Sequence, residues 1–257
     1  MPDQDKLTAI LLMRAALPLT KTLLEEKPKL ARKYAGWNRV VQFQVKDDPE
    51  LACHLQFVDG KLEYNAGRHP APQIDFVFKT PADFVALMSG KIALPKIKGA
   101  LKNFGTLAGF LPLMLGLTLL LPSKLPKDPD KRALKVRLLL YFITTALSLL
   151  NRHGHAGMRE FTRDMPDRIF QWSVQSSDPA AYLRISKGRT KSGRGIYGRR
   201  RPFVHMIFSS IDAAFLVLTG QVDNNAAMRD GLLVVDGSPE HGKDISTIMK
   251  QIEAMIS

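Results

Sequence analysis

Near its C-terminal end the chain reads GSPEHGKDIS, from Gly237 to Ser246, directly after the apolar run GLLVV. A strand, a glycine, four residues, then Gly242 and Lys243 ahead of a helix is the spacing of a phosphate-binding loop, whose backbone amides and lysine cradle a nucleotide. One position departs from it. Asp244 stands where a Ser or Thr hydroxyl would reach a magnesium ion, and a carboxylate there repels phosphate at the helix end that should attract it. Asp244 has a second use, as the N-cap of a helix whose apolar positions Ile245, Ile248, Met249, Ile252 and Ile256 fall on one face.

Other residue types capable of chemistry are sparse. RHGHAG (Arg152 to Gly157) places His153 and His155 two apart, on different sides of a helix, with no further ligand at a recognisable spacing. A solvated loop accounts for them. His54, His69, His205 and His241 are scattered, and no serine, histidine and acid can be grouped into a hydrolytic set. Cys53, the single cysteine, lies in an apolar strand and reads as inert core. Glu25-Glu26 ends a helix and Asp47-Asp48 makes a turn before Pro49, so neither acid pair is needed for acid–base work. No catalytic residue, metal site or cofactor is expected.

The most charged stretch is RISKGRTKSGRGIYGRRR (Arg184 to Arg201), with eight cations and four glycines. Arg184, Lys187, Arg189, Arg199, Arg200 and Arg201 are candidates for acidic head groups or acyl-CoA phosphates, since Arg forks suit phosphate. A solvated, mobile hairpin explains the same residues. Only Tyr197 offers base stacking there, so a specific nucleic-acid partner is not expected.

The elements that would position these residues come from a duplication. Gln73 to Ile92 (QIDFVFKTPADFVALMSGKI) lies over Phe203 to Val222 (FVHMIFSSIDAAFLVLTGQV), an offset of 130 residues, each copy following a proline. Ile74, Phe76 and Phe78 in one, and Val204, Met206 and Phe208 in the other, alternate as one face of a strand. Thr80 and Ser209 fit the N-cap of a following helix, each with an acid three residues on (Asp83, Asp212), and Gly90 and Gly220 fit its left-handed C-cap. Upstream, VVQFQVKDDP matches IFQWSVQSSDP and HLQFVDGK matches YLRISKGR, with Asp59-Gly60 and Lys187-Gly188 as hairpin turns. Downstream, GALKNFG (Gly99 to Gly105) is matched to GLLVVDG (Gly231 to Gly237), which makes FGTLAGF (Phe104 to Phe110) the counterpart of the Gly237 junction. Each copy therefore reads helix, three or four strands, short helix, last strand, closing helix. This is α+β, in modules 1–122 and 123–257 joined through a proline-rich linker at 122–132.

Composition bounds the rest. In 257 residues, 45% hydrophobic content is enough for a buried core. The 37 Lys and Arg against 24 Asp and Glu give +13, an attraction to anionic partners of any kind. The N-terminal stretch is a poor secretory signal, the ending AMIS is no peroxisomal address, and one cysteine suits a reducing compartment; a cytoplasmic location with peripheral membrane contact is expected. The segment 107–121, LAGFLPLMLGLTLLL, is apolar all round yet shorter than the roughly 20 residues of a bilayer span. It must face apolar matter on every side.

PADFVALMSGKIALPKIKGALKNFG in the first copy, and DAAFLVLTGQVDNNAAMRDGLLVVDG in the second, resemble the sterol carrier protein type 2 domain. The resemblance implies a roughly five-stranded sheet covered by helices around an apolar tunnel. Such a tunnel takes fatty acid, acyl-CoA, phospholipid or sterol without chemistry and is closed by the last helix. The tandem copies and the very apolar first closing helix depart from that pattern. Combined with helical spacing, it nominates Phe84, Leu87, Met88, Phe110, Leu111 and Met114 in the first module, and Phe215, Leu218, Ile248, Met249 and Ile252 in the second, as lipid-binding. Two other functions compete. One is a membrane-peripheral protein embedding the apolar helices 107–121 and 138–150 while the loop 184–201 meets acidic lipid; the other is the nucleotide enzyme raised by GSPEHGKDIS.

Overall fold

A computed structural model describes residues 3–175 and 178–256; Ser176 and Ser177, inside the IFQWSVQSSDP match, and the outermost residues of both expected modules lie outside the described residues. The chain divides into two compact units, Asp3–Leu121 and Pro122–Met255. The fold is α+β, with one five-stranded mixed sheet in each unit.

In the first unit, helices α1 (Gln4–Leu11) and α2 (Leu19–Glu26) flank a π-helical segment, Leu12–Ala16, and α3 (Pro28–Ala31) follows. Then come β1 (Arg39–Val45), β2 (Asp48–Val58), β3 (Lys61–Ala66), β4 (Ile74–Phe78), α4 (Pro81–Met88), β5 (Lys96–Lys98) and α5 (Phe104–Leu117). The second unit opens on one long helix, α6 (Pro129–Arg152), followed by α7 (Ala156–Arg163), β6 (Arg168–Val174), β7 (Ala180–Ser186), β8 (Arg189–Arg194), β9 (Val204–Phe208) and α8 (Ile211–Leu218). A helix with no counterpart among the described residues of the first unit, α9 (Asn224–Arg229), precedes β10 (Leu233–Gly237) and α10 (Pro239–Met255).

Both sheets have one topology, β3-β2-β1-β4-β5 and β8-β7-β6-β9-β10. β1 runs parallel to β4, and β6 to β9, while the other pairs are antiparallel. The two-residue hairpins turn through positive φ at Asp59 (47°) and Gly60 (78°), and at Lys187 (47°) and Gly188 (74°), the conformation that matches strand twist. Val41 pairs with Ile74 and Phe43 with Phe76; Phe170 pairs with Val204 and Trp172 with Met206. One apolar face per sheet is thereby defined twice, position for position.

Thr80 caps α4 through a full capping box, its hydroxyl accepting from the Asp83 amide (3.2 Å) and the Asp83 carboxylate from the Thr80 amide (3.1 Å). The second copy differs from expectation. Ser210, not Ser209, accepts from the Ala213 amide (3.0 Å), and Asp212 binds Arg132 instead (2.7 Å). Gly90 and Gly220 take the expected left-handed conformation, with φ of 79° and 69°.

The last strand of the first unit also departs from expectation. It is Lys96–Lys98, upstream of the matched GALKNFG, because Lys98 pairs with Asp75 just as Asp236 pairs with His205. Gly99, rather than Gly105, is thus the counterpart of Gly237. Both have positive φ (81° and 103°), and a Cβ on either would run into a carbonyl oxygen, of Gln73 or of Phe203. Asp244 is not an N-cap: α10 begins at Pro239, so EHGKD is already helix and Gly242 lies buried within it. The phosphate-loop spacing therefore has no loop. Helix α6 is buried along 138–150 and packs on β7, β8 and α8, which leaves that segment no apolar face to embed in an interface.

Candidate functional site

The residue types at the matched core positions differ between the two copies. In the first unit Phe43 stacks on Phe76 at 4.9 Å between ring centroids and meets Phe84 at 6.4 Å and Phe110 at 6.0 Å, while Phe78 meets Phe84 at 5.1 Å. Offset and edge-on rings fill this volume closely. In the second unit strand pairing and the parallel positions in α4 and α8 put Trp172, Met206, Phe208 and Ala214 at the places of Phe43, Phe76, Phe78 and Phe84. Two rings are replaced by a flexible thioether and a methyl group.

A groove of about 410 Å³ lies between α9, β10 and α10 of that second unit. Met206, Leu233 and Val235 form its apolar floor, and Gly242 brings the α10 backbone close: a Cβ there would sit 3.3 Å from Val235 and 3.7 Å from Met206. Met228 supplies an apolar wall on α9. The rim is polar, with Asp223, Asn225 and Glu240 set against Lys243 and Lys250. Beside the floor, the buried Trp172 indole N–H has no acceptor among the described residues, and Trp172 is the register partner of Met206. A buried donor left in that state is unfavourable by about 1–3 kcal/mol.

None of the residues nominated by helical spacing lines this groove. Phe84 and Phe110 are fully buried in the phenylalanine cluster, Leu87, Met88 and Met114 are half-buried, and Leu111 is exposed. Phe215 is buried under the Arg132 guanidinium (5.2 Å), Ile248 and Ile252 are buried, and Leu218 and Met249 are half-buried. The sequence signal nearest to the groove was Met206 in place of Phe76 in the aligned copies.

The cationic stretch separates into two groups. Arg184 makes a two-pronged contact to Asp167 (2.8 and 2.7 Å), Arg200 joins it (2.5 Å), and their guanidinium groups hold the Asp167 carboxyl at about 2. Arg201 is held by Asp236 (2.9 Å), and Arg199 is exposed. Lys187 and Arg189, at the β7–β8 turn, instead face Arg152, Arg159 and Arg163 from α6 and α7 across an open cleft of about 1070 Å³, with Glu160 the one acid in its lining. Its walls are tied together. Gly188 N–H donates to Thr162 O (2.9 Å), Asn151 Nδ2 donates to Gly188 O (2.8 Å), and the Thr162 hydroxyl donates to Asn151 Oδ1 (2.7 Å). Five cations on a braced frame suit a phosphate or carboxylate. Sequence reasoning missed the three arginines of α6 and α7, although Arg159 and Arg163 show the i, i+4 spacing of one helix face.

Ser173 Oγ and His205 Nε2 lie 2.8 Å apart on the opposite face of the sheet, with Asp236 on the neighbouring strand. This is not a working triad: Asp236 is committed to Arg201, and Ser173 is fully buried where no substrate reaches its hydroxyl. Burial pushes the His205 imidazole below its usual range. His155 accepts from the Met158 amide as the N-cap of α7 (3.3 Å). Among the described residues no three His, Cys, Asp or Glu cluster as a metal site. Burial raises the Cys53 thiol to about 12, which removes the reactive thiolate at neutral pH.

No family model matches the chain, and no curated protein does. Among solved structures, the stereoselective inverting sec-alkylsulfatase Pisa1 from Pseudomonas sp. is similar over 64% of this chain at 15% identity, with a TM-score of 0.27. A double mutant of the sec-alkylsulfatase PisA1 is similar over 65% at 14% identity, with a TM-score of 0.28. The chain spans 30% of the length of those proteins, and a likeness that distant carries no argument.

Proposed function

We propose that the protein is a non-catalytic lipid carrier, a tandem of two sterol-carrier-like modules in which the second holds the ligand. The observation that carries this reading is the groove over Met206, Leu233 and Val235, whose floor holds Met206 at the place of Phe76 in the first unit's phenylalanine cluster. An apolar floor with a polar rim fits a ligand with a hydrocarbon body and a polar end, such as a fatty acid, acyl-CoA, phospholipid or sterol, and its volume falls within the range of small-molecule sites. The first module then serves packing and membrane contact. The location that goes with this reading is the cytoplasm, with peripheral membrane contact.

Native mass spectrometry of the purified chain, followed by lipid extraction, tests the reading. A carrier brings a lipid with it or takes up a fluorescent fatty acid that other lipids displace. A chain that arrives empty and binds no lipid in the displacement assay overturns the proposal.

A further inference from the structure

Helix α5 is apolar on two faces, and only one of them is covered. Thr106, Phe110, Leu113 and Leu117 are buried, while Phe104, Ala108, Leu111 and Leu115, at i, i+4, i+7 and i+11, form an exposed stripe along the other side. The segment before the helix is more unusual. Ile92, Leu94 and Leu101 are 97%, 93% and 99% exposed, which for large aliphatic side chains is close to complete immersion in water. Gly90 lies against Leu121, beyond the C-terminal end of α5, and Asn103, at its N-terminal end, donates to Gly99 O (3.2 Å). Residues 91–98 therefore span the distance between the two ends of the helix, so loop and stripe belong to the same part of the first unit. Contiguous exposed apolar surface of this kind marks a docking site.

Charge decides what docks there. Between Asp83 and Asp128 the chain has no Asp or Glu and six lysines, four of which, Lys91, Lys96, Lys98 and Lys102, alternate with the exposed apolar residues. β5 is an edge strand, so its lysines flank the apolar residues at the sheet margin. We propose that this surface of the first unit, the 91–104 segment with the outer stripe of α5, docks on an anionic lipid bilayer. Ile92, Leu94, Leu101 and Phe104 enter the boundary between head groups and acyl chains, where an apolar face settles roughly 5–10 Å deep. The lysines keep their ammonium groups at head-group level on flexible stems. Lys98 is held only loosely in the free protein, 3.9 Å from Asp75. This replaces the buried 138–150 helix and the ion-paired half of the basic loop as the membrane-facing element.

Flotation of the full chain with vesicles tests the proposal, using phosphatidylserine mixed into phosphatidylcholine against phosphatidylcholine alone. Wild type is expected to float with the anionic vesicles and to detach as salt is raised. Leu94→Asp with Leu101→Asp should weaken binding roughly tenfold or more, since each withdraws a large apolar side chain from the interface. Lys96→Glu and Lys102→Glu should each weaken it about fivefold or more at low salt. The side chains changed are exposed, and near-UV circular dichroism should be unaltered. Unchanged flotation of the Leu94→Asp, Leu101→Asp variant overturns the proposal. So does loss of flotation only when Arg159 and Arg163 are reversed to Glu, which would assign membrane contact to the second unit's cleft. Concentration-dependent dimers that the aspartate variant dissolves, with no vesicle binding by wild type, would make the surface a self-association face and also overturn it. Vesicle binding without any extracted lipid leaves this inference standing and defeats the carrier reading, so the two fail separately.

Discussion

Replacing Gly242 by leucine should close the groove without unfolding the unit around it. Gly242 is buried inside α10, and a Cβ placed on it would meet Val235 at 3.3 Å, Val204 at 3.6 Å and Met206 at 3.7 Å. Alanine therefore fits with a shift of a few tenths of an ångström, and it gains helix propensity of up to about 1 kcal/mol over glycine. Leucine carries three further carbons into the space above Met206 and Val235. Overpacking is unfavourable by about 1–3 kcal/mol and the propensity gain offsets part of it, so unit stability should fall by no more than about 2 kcal/mol. A ligand denied contact for about three methylenes loses about 2 kcal/mol, or roughly thirtyfold in Kd. Displacement of a fluorescent fatty acid reads the affinity and urea unfolding reads the stability, with Gly242→Ala as the variant that should bind normally. Met206→Phe, which copies Phe76 of the first unit, should block binding by a second route. Wild-type affinity in folded Gly242→Leu and Met206→Phe proteins would refute the assignment of the groove.

Three more outcomes follow from particular groups. Lys135 is fully buried in α6, with Glu253 opposing the effect, and burial pushes its ammonium group down to about 8; the penalty is present below that pH and relieved as pH rises toward the ordinary 10.5, so the second unit should gain about 1–3 kcal/mol over that window. Burial raises Tyr34 and Cys53 of the first unit to about 12, above their values in the unfolded chain, so that unit should lose stability above about pH 9; calorimetry from pH 8 to 10 should show two transitions moving in opposite directions, and parallel shifts would contradict the burial argument. Gly99→Ala and Gly237→Ala should each destabilise their own unit by about 3 kcal/mol, because positive φ and a backbone collision act together, whereas Gly105→Ala, with nothing near its Cβ, should be neutral or stabilising in thermal melts. Arg159→Glu with Arg163→Glu should reduce binding to immobilised phosphate groups at least tenfold and flatten its salt dependence, while Arg184→Ala, already paired with Asp167, should change it little.

The duplication, the hairpins and the central strands were legible because their signals are local. Ile74, Phe76 and Phe78 alternate, Asp59-Gly60 and Lys187-Gly188 need positive φ, and each copy repeats them. The edge strand β5 was misplaced because Lys-Ile-Lys has three residues, two of them charged, and offers no apolar run; the conserved feature of that junction is a glycine held against a carbonyl oxygen, which composition does not reveal. Likewise α10 was started six residues late. Pro239 suits the first turn of a helix, but the polar run EHGKD hides the helical period until Ile245. The cleft needed a tertiary step, since the β7–β8 turn is brought to α7 by Asn151 and Thr162, which look like ordinary helix residues in the sequence.

Volume is where the copies part, and it constrains what the second one does. The groove of about 410 Å³ is open at its rim, so water fills it when no ligand does. Water can bond to Asn225, Glu240 and Lys243 at the rim but finds no partner over Met206, Leu233 and Val235, so a ligand with a hydrocarbon body gains by displacing it. In the first unit the place of Met206 is taken by Phe76, packed on Phe43 with Phe84 and Phe110 nearby. Helix α9, which occurs beside the groove and has no described equivalent in the first unit, adds Met228 as a wall that adapts to different chain shapes. Under the proposed carrier function, Met206 at the place of Phe76 makes the second unit the one to test first for a ligand.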